Sequence, residues 1–416
     1  MTASPLHQTL KRVLCEQPLT FLDPIFYTNP DLSELEQQNI FGKTWLYAGH
    51  AASLEQPGSV MTVEIAGRSV LIMRSKQGEL SAFHNACTHR GAALKSTSEP
   101  VSTNCLVCPY HGWTFDTAGN LKGLPEKNRF GNDIDLEKLS LKRVKLETWG
   151  PLMFVAFTQT VPPLSEFLGE AIALMAGFPM GSLALLFEQD YEMDCNWKAF
   201  HDNSLCDYHV NIAHQNTLKD IQGQIKHYQY VFDDYLNALV TPITQSWQAD
   251  NDIWNKLEKP YSDRFVTFGI FPNLHIYALP DGTLYVERID AISTDRCQMH
   301  SEVYGLPHHL DAVDKIKAWY EELFSEDKAL VEAVQRGYTS IRRETTSDTF
   351  VSGPINYLES RVVHQQQILR RFLLAGLPKE MATPIGSTYS DSFQRSKTFN
   401  KFVRRQLDMS STSRNA

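Results

Sequence analysis

Nowhere does the chain contain eighteen consecutive apolar residues, so no segment is long enough to cross a bilayer as a helix. Met1 to Pro24 also lacks the apolar run of a secretory signal, and the chain is expected to be cytoplasmic, with no membrane partner. Positive charge is in deficit: 39 Lys and Arg stand against 48 Asp and Glu, giving a formal charge of −9. That balance opposes unspecific attraction to phosphate backbones, so nucleic acid is not an expected partner. Internal repeats are missing, and so is any regular βαβ alternation. Cysteine is scarce and odd in number, at seven, and its one dense cluster is interleaved with histidines, a pattern that favours metal over disulfides in a reducing compartment.

What is present suits an ordinary globular protein. Hydrophobic residues make up 42% and charged residues 21% of 416 positions, which predicts about two domains, each able to bury its own core. From Ser59 to Phe83 the chain alternates Val60, Thr62 and Glu64, turns at Ala66-Gly67, runs from Val70 to Met73 and turns again near Gly78 before Leu80. Short antiparallel strands are expected there. The pattern resumes with Trp113 to Phe115, a turn over Asp116 to Asn120, Leu121, and the apolar strand Leu152 to Phe157. A β domain is therefore placed at 45–158, after an N-terminal segment, 1–44, whose helix Asp31 to Phe41 is capped by Asp31 and packs on the second domain. That second domain, 159–409, is read as mixed. It has strands at Tyr228 to Phe232 and Leu239 to Trp247 and a hairpin, His275 to Leu279 and Leu284 to Ile289, turned by Pro280-Asp281-Gly282. Two helices follow, one with Val313, Ile316, Trp319, Tyr320, Leu323 and Phe324 at helical spacing, the other with Leu330, Val331 and Val334 and ending before Gly337. Strands followed by helices predict an α+β fold. Residues 410–416 are expected to be a disordered tail.

Cys87 and His89 are separated by one residue and Cys108 and His111 by two, with eighteen residues between the pairs, so each pair can cap its own loop. Two thiolates on one iron and two imidazoles on the other make a Rieske [2Fe–2S] centre, less negative than an all-thiolate cluster. Gly91, Pro109 and Gly112 allow backbone amides to approach the sulfurs. The rival is a structural zinc site on Cys87, Cys105 and Cys108, since Cys105-Leu106-Val107-Cys108 has ordinary zinc spacing. Cys105 and His84 are otherwise read as packing residues.

The boxes Cys87-Thr88-His89-Arg90-Gly91-Ala92 and Cys108-Pro109-Tyr110-His111-Gly112-Trp113 closely resemble those of Rieske oxygenases, the ring-hydroxylating dioxygenase α-subunit family. The resemblance extends from Trp45 to about Gly337. It implies a Rieske β-sandwich inserted in a helix-grip domain with a mononuclear Fe(II), and often a homotrimer. By spacing alone His209 and His214 are a weak pair: five residues turn an ideal helix by about 500°, leaving the side chains roughly 140° apart unless the helix bends or ends there. The segment from Asn196-Trp197-Lys198 to His214 resembles the family's iron box, however, and Ser325-Glu326-Asp327 resembles the segment that supplies the carboxylate in the choline-monooxygenase and ring-hydroxylase branches. The implied ligands are His209, His214 and Asp327, with Glu326 or Glu332 as substitutes, and Asn203 lies where the family has an asparagine close to the iron.

One departure stands out. The family's acidic residue three positions before the first iron histidine is Cys206 here, and a thiol is a poor acceptor. Asp207 is therefore expected to bridge His111 of a neighbouring subunit to His209. The activity implied is that of a terminal oxygenase. Electrons from NAD(P)H arrive through a ferredoxin or flavin reductase, and O2 is used to hydroxylate or dihydroxylate an aromatic or other small organic substrate in a pocket drawn from Trp247 to Tyr285. The alternatives are an N- or O-demethylating or quaternary-amine monooxygenase of the same family and, outside enzymes, a Rieske electron carrier.

Overall fold

A computed structural model describes residues 21–130, 135–245, 247, 261–342 and 353–376. The tail at 410–416 and residues 248–260 lie outside the described residues. The chain divides into two compact units, one formed by Phe41–Leu164 and the other by the residues before and after it.

In the first unit the strands are β1 (Leu46–His50), β2 (Ser59–Ile65), β3 (Arg68–Arg74), β4 (Leu80–His84), β5 (Val101–Ser102), β6 (Cys105–Val107), β7 (Thr114–Asp116), β8 (Leu121–Gly123), β9 (Arg143–Trp149) and β10 (Leu152–Ala156). They form a seven-stranded sheet in the order β1-β10-β9-β4-β3-β2-β5 and a three-stranded sheet, β6-β7-β8. In β2, Val60, Thr62 and Ile65 are buried and Glu64 is exposed; because side chains alternate, Ile65 is buried on the face opposite to Val60 and Thr62. Val60, Leu71, Met73, Phe83 and Phe115 make a core that also contains Cys87, Cys108 and Trp113. One ligand loop follows β4 of the large sheet and the other joins β6 to β7 of the small one, and both rise from this packed base.

The second unit is built on an antiparallel sheet ordered β11-β17-β16-β15-β14-β13-β12, with β11 Ala184–Met193, β12 Gln229–Phe232, β13 Leu236–Pro242, β14 Arg264–Ile270, β15 Leu274–Ala278, β16 Leu284–Ala291 and β17 Cys297–Gly305. β14 and β15 are buried along nearly their whole length, as in a sheet covered on both faces. The helices that matter for function are α1 (Trp197–Ser204), α2 (Val210–Ala213), α3 (Val313–Arg342) and α4 (Ser360–Gly376).

Three local expectations need correction. The N-terminal helix is capped by Asn29, whose side chain accepts from the Asp31 amide, and its regular part is Pro30–Glu36. A residue one turn earlier wins because its extended backbone aims the side chain at the free amides. β13 stops at Pro242, where the missing N–H ends the ladder. The two helices expected after Val313 are one helix of 30 residues, continuing through Gly337. Its inner stripe of Tyr320, Leu323, Phe324 and Val331 is buried and outweighs the roughly 1 kcal/mol that a mid-helix glycine costs relative to alanine.

The N-terminal segment is fastened to this unit by buried charge. Glu36 accepts from Lys198 Nζ at 2.6 Å and from Trp197 Nε1 at 2.9 Å, so the helix that precedes the iron box is anchored at its start. Among the described residues no helix is long and apolar enough to cross a membrane. A Cβ on Gly337 would meet nothing within 4 Å. Gly337→Ala is therefore expected to stabilise the protein by about 0.5–1 kcal/mol, read as a higher denaturation midpoint; an unchanged or lower midpoint would contradict a continuous helix there.

Candidate iron centres

The two loops of the first unit share one backbone design. In the first, the Gly91 amide donates to Cys87 O and the Cys87 amide to Ala92 O; in the second, Gly112 donates to Cys108 O and Cys108 to Trp113 O. Both glycines have positive φ, +75° and +72°, which an L side chain would strain. The turns expose backbone amides to sulfur. Burial opposes the Cys108 thiolate, but the N–H groups of Tyr110 and His111 and the neighbouring Cys87 outweigh it and lower the Cys108 pKa. At Cys87 burial wins and the pKa rises.

His89 and His111 meet edge to face, with ring centroids 4.6 Å apart, and His89 stacks on Trp113 at 4.7 Å. Nδ1 of His89 is buried without a hydrogen-bond partner, an arrangement that costs energy unless the nitrogen binds something. Among the described residues no three donors of these loops lie within 4.8 Å of one another, as a single tetrahedral zinc would require. Cys105 instead sits in β6, paired with Asp116 of β7. Two thiols and two imidazoles held as separate pairs fit a cluster with two irons.

In the second unit, His209 and His214 flank the four-residue helix α2 as its first and last boundary residues. The helix is so short that the angular mismatch expected of a five-residue spacing disappears. His209 Nε2 lies 3.0 Å from His214 Nε2, and Asp327 Oδ1, carried on α3, lies 3.3 Å and 3.1 Å from these two nitrogens. Three cis donors around an octahedral ion with bonds of roughly 2.1 Å stand about 3 Å apart, so the set fits a facial 2-His-1-carboxylate triad. Asn203, on α1, donates from Nδ2 to Asp327 Oδ1 at 2.6 Å. Glu326 faces away from the three-donor centre and accepts from His214 Nδ1. Glu332 accepts from the Asp194 amide instead, so it takes no part in the triad.

Within its own chain Asp207 is engaged by residues other than His209. Its oxygens take Tyr230 OH at 3.0 Å and Arg361 NH1 at 3.4 Å, its amide donates to Leu358 O, and the residue is 4% exposed. Burial dominates this pair from both sides, raising the Asp207 pKa and lowering that of Arg361. Beside His209 stands Cys206, which acts with Asp327 to favour the charged imidazole. Sequence reasoning missed the Arg361 partner because it lies 154 positions beyond Asp207, where no local spacing connects the two.

Beside the triad lies a cavity lined by Phe200, Phe265, Leu323 and Phe324 and by the polar residues Thr267, His275, Glu287 and Arg361. Only part of this lining falls within the expected stretch from Trp247 to Tyr285. Glu287 accepts from Tyr320 OH at 2.7 Å and Tyr277 OH at 3.2 Å, and it pairs with His275 Nδ1 at 2.8 Å.

A chain with a two-iron cluster domain and a facial-triad domain is, by its construction, an oxygen-activating iron protein. Comparison makes this specific: residues 44–145 match the Rieske [2Fe–2S] domain, and residues 182–375 match the catalytic domain of ring-hydroxylating alpha subunits. The chain belongs to the Rieske oxygenase family, and the electron-carrier alternative, which needs no second domain, falls away. Among its relatives, the glycine betaine monooxygenase oxygenase subunit of Pseudomonas aeruginosa is 33% identical over 62% of this chain and 58% of its own length. The carnitine monooxygenase oxygenase subunit of Acinetobacter pittii is 29% identical over 76% of this chain and 84% of its own. The chain thus spans little more than half of the glycine betaine subunits that it matches. A solved quaternary ammonium Rieske monooxygenase superposes with a TM-score of 0.72 at 25% identity, covering 87% of this chain and 98% of the other. Naphthalene 1,2-dioxygenase from Rhodococcus gives 0.73 at 19%, covering 91% and 100%, a likeness of fold.

Two predictions follow from this geometry. Burial disfavours a charged His209, but Asp327 and Cys206 outweigh it and push its pKa up to about 10 in the metal-free site; His214 is raised as well. Protonation of His209 thus contributes stability that is complete below the unfolded value of about 6.5 and is lost as pH rises through about 10. Iron needs neutral rings and must displace those protons. Affinity of the triad for Fe(II), measured by chelator competition, is expected to tighten from pH 6.5 to 8.5, and a flat profile would contradict the assignment. Asp207→Ala strands the Arg361 charge and is expected to cost about 3–5 kcal/mol in denaturation experiments. Wild-type stability would show that the pair does not hold the loop.

Proposed function

We propose that this chain is the terminal oxygenase component of an electron-transfer system drawing on NAD(P)H through a ferredoxin or flavin reductase. Cys87, His89, Cys108 and His111 hold the cluster, and His209, His214 and Asp327 hold the Fe(II). We take 45–158 as the Rieske domain and 159–409 as the catalytic domain, with 1–44 packed on it, in a homotrimer. A cytoplasmic setting agrees with six described cysteines that form no disulfide. The observation that carries the reading is the convergence of three donors about 3 Å apart beside a cavity with both apolar and polar walls.

Iron at the triad supplies redox and Lewis-acid chemistry toward O2. The protein's own residues do the rest. The two imidazoles and Asp327 leave the remaining coordination positions to small ligands. Asn203 fixes the carboxylate, and Phe200, Phe265, Leu323 and Phe324 keep water from the substrate's reacting carbon.

The substrate class follows from two considerations. The cavity accepts a small organic molecule, aromatic or otherwise, hydroxylated once or twice. A quaternary or other cationic amine is the second reading, favoured by the Glu287 carboxylate beside the rings of Tyr277 and Phe265, which offer charge and π-face attraction to a cation. The names of the relatives point the same way.

The test is turnover with a reductase under labelled O2, using paired aromatic and quaternary-amine panels with mass spectrometry of products. Label is expected in a hydroxylated product or, after dealkylation, in the carbonyl fragment released from nitrogen and trapped before exchange with water, and Glu287→Gln is expected to raise KM about tenfold for cationic members while sparing neutral ones. No label in any product, with reductase and cluster competent, would refute the oxygenase reading.

A further inference from the structure

Helix α3 presents two consecutive carboxylates to one histidine. Asp327 Oδ1 is 3.1 Å from His214 Nε2. Glu326 Oε2 is 2.8 Å from His214 Nδ1, on the far side of the ring. The same Glu326 oxygen accepts from Thr217 Oγ1 at 2.8 Å. His214 is 1% exposed and Thr217 likewise, so both donors are shielded, while the Glu326 side chain keeps 19% exposure.

An imidazole that donates from Nδ1 to a carboxylate has its lone pair on Nε2, and the acceptor's charge raises the basicity of that lone pair. In His214 this nitrogen is the one facing His209 and Asp327. The two histidines are supported unequally: His214 has a carboxylate anchored by a hydroxyl, whereas the residue three positions before His209 is Cys206, whose thiol is a weak hydrogen-bonding partner.

We propose that Glu326 is the positioning residue of the mononuclear site, fixing the tautomer and ring orientation of His214 with Thr217 as its anchor, and that it does not itself bind iron. The burden falls on His214 because Cys206 cannot supply an equivalent hold on His209. The inference rests on His209, His214 and Asp327 being the iron ligands.

The test uses the full-length protein with its cluster intact. Fe(II) affinity of the mononuclear site is measured by chelator competition, and its symmetry by the EPR of the nitric oxide adduct, for wild type, Glu326→Ala, Glu326→Gln and Thr217→Val. Glu326→Ala is expected to bind Fe(II) about 10–100-fold more weakly, with an altered adduct spectrum and an unchanged reduced-cluster signal. Glu326→Gln, whose amide oxygen can still accept from Nδ1, is expected to recover most of that loss, and Thr217→Val to show a smaller loss in the same direction. Wild-type affinity in Glu326→Ala overturns the proposal. Equal losses in the alanine and glutamine variants overturn it too, since the acceptor would then be irrelevant. If the alanine variant does not fold, the glutamine and valine variants decide alone: a loss in valine with near-wild-type binding in glutamine supports the proposal, and any other pattern refutes it. Should the wild type bind no iron beyond the cluster, the ligand assignment fails first, and separately.

Discussion

Two imidazoles and a carboxylate held about 3 Å apart in a largely buried site are the constraint to which the second unit answers. Without a cation the arrangement retains protons, which is why His209 stays charged to about pH 10 and why Asp327 is held well below the ordinary carboxylate range despite its burial. The surrounding fold can be understood as the means of bringing those donors together. α1 ends before the first histidine, α2 is cut to four residues between the pair, and α3 runs for 30 residues so that a residue 118 positions beyond His209 reaches it. Buried polar contacts at Asn203, Glu326 and Thr217 then leave each donor little freedom.

Much of this could be read from sequence where burial follows a simple period. Val60 to Ile65 and the hairpin around Pro280-Asp281-Gly282 alternate or turn in ways that only strands satisfy. The two cluster loops were legible because Gly91 and Gly112 are needed for the same turn in both. The condition set for His209 and His214, that a helix must end between or beside them, is the one the chain meets.

The illegible parts have a common physical origin in buried polarity. α4 carries an apolar stripe in Val362, Leu369 and Leu373 but also buries Arg361, Gln365, Gln366 and Arg370, which polarity alone would place in solvent. Its burial is compensated by hydrogen bonds such as Gln366 to Asp202 and Arg361 to Asn237. β11 is a partly exposed strand rich in acidic and amide residues, and β17 alternates with His300 and Glu302 in its polar positions. The intrachain partner of Asp207 was hidden in the same way. Asp207 neighbours the histidine loop in sequence, but its partner in space is Arg361, 154 positions away. The acidic residue is thus spent on holding that loop to α4, and the thiol of Cys206 is left beside the iron histidine.

The most direct test of the whole account is anomalous diffraction at the iron edge from crystals of the iron-loaded protein. The account predicts one peak for the cluster between the Cys87–His89 and Cys108–His111 loops, and a second, separate peak bounded by His209 Nε2, His214 Nε2 and Asp327 Oδ1. A zinc-edge signal at the cysteines, or no iron at the triad in crystals whose cluster is full, would contradict it.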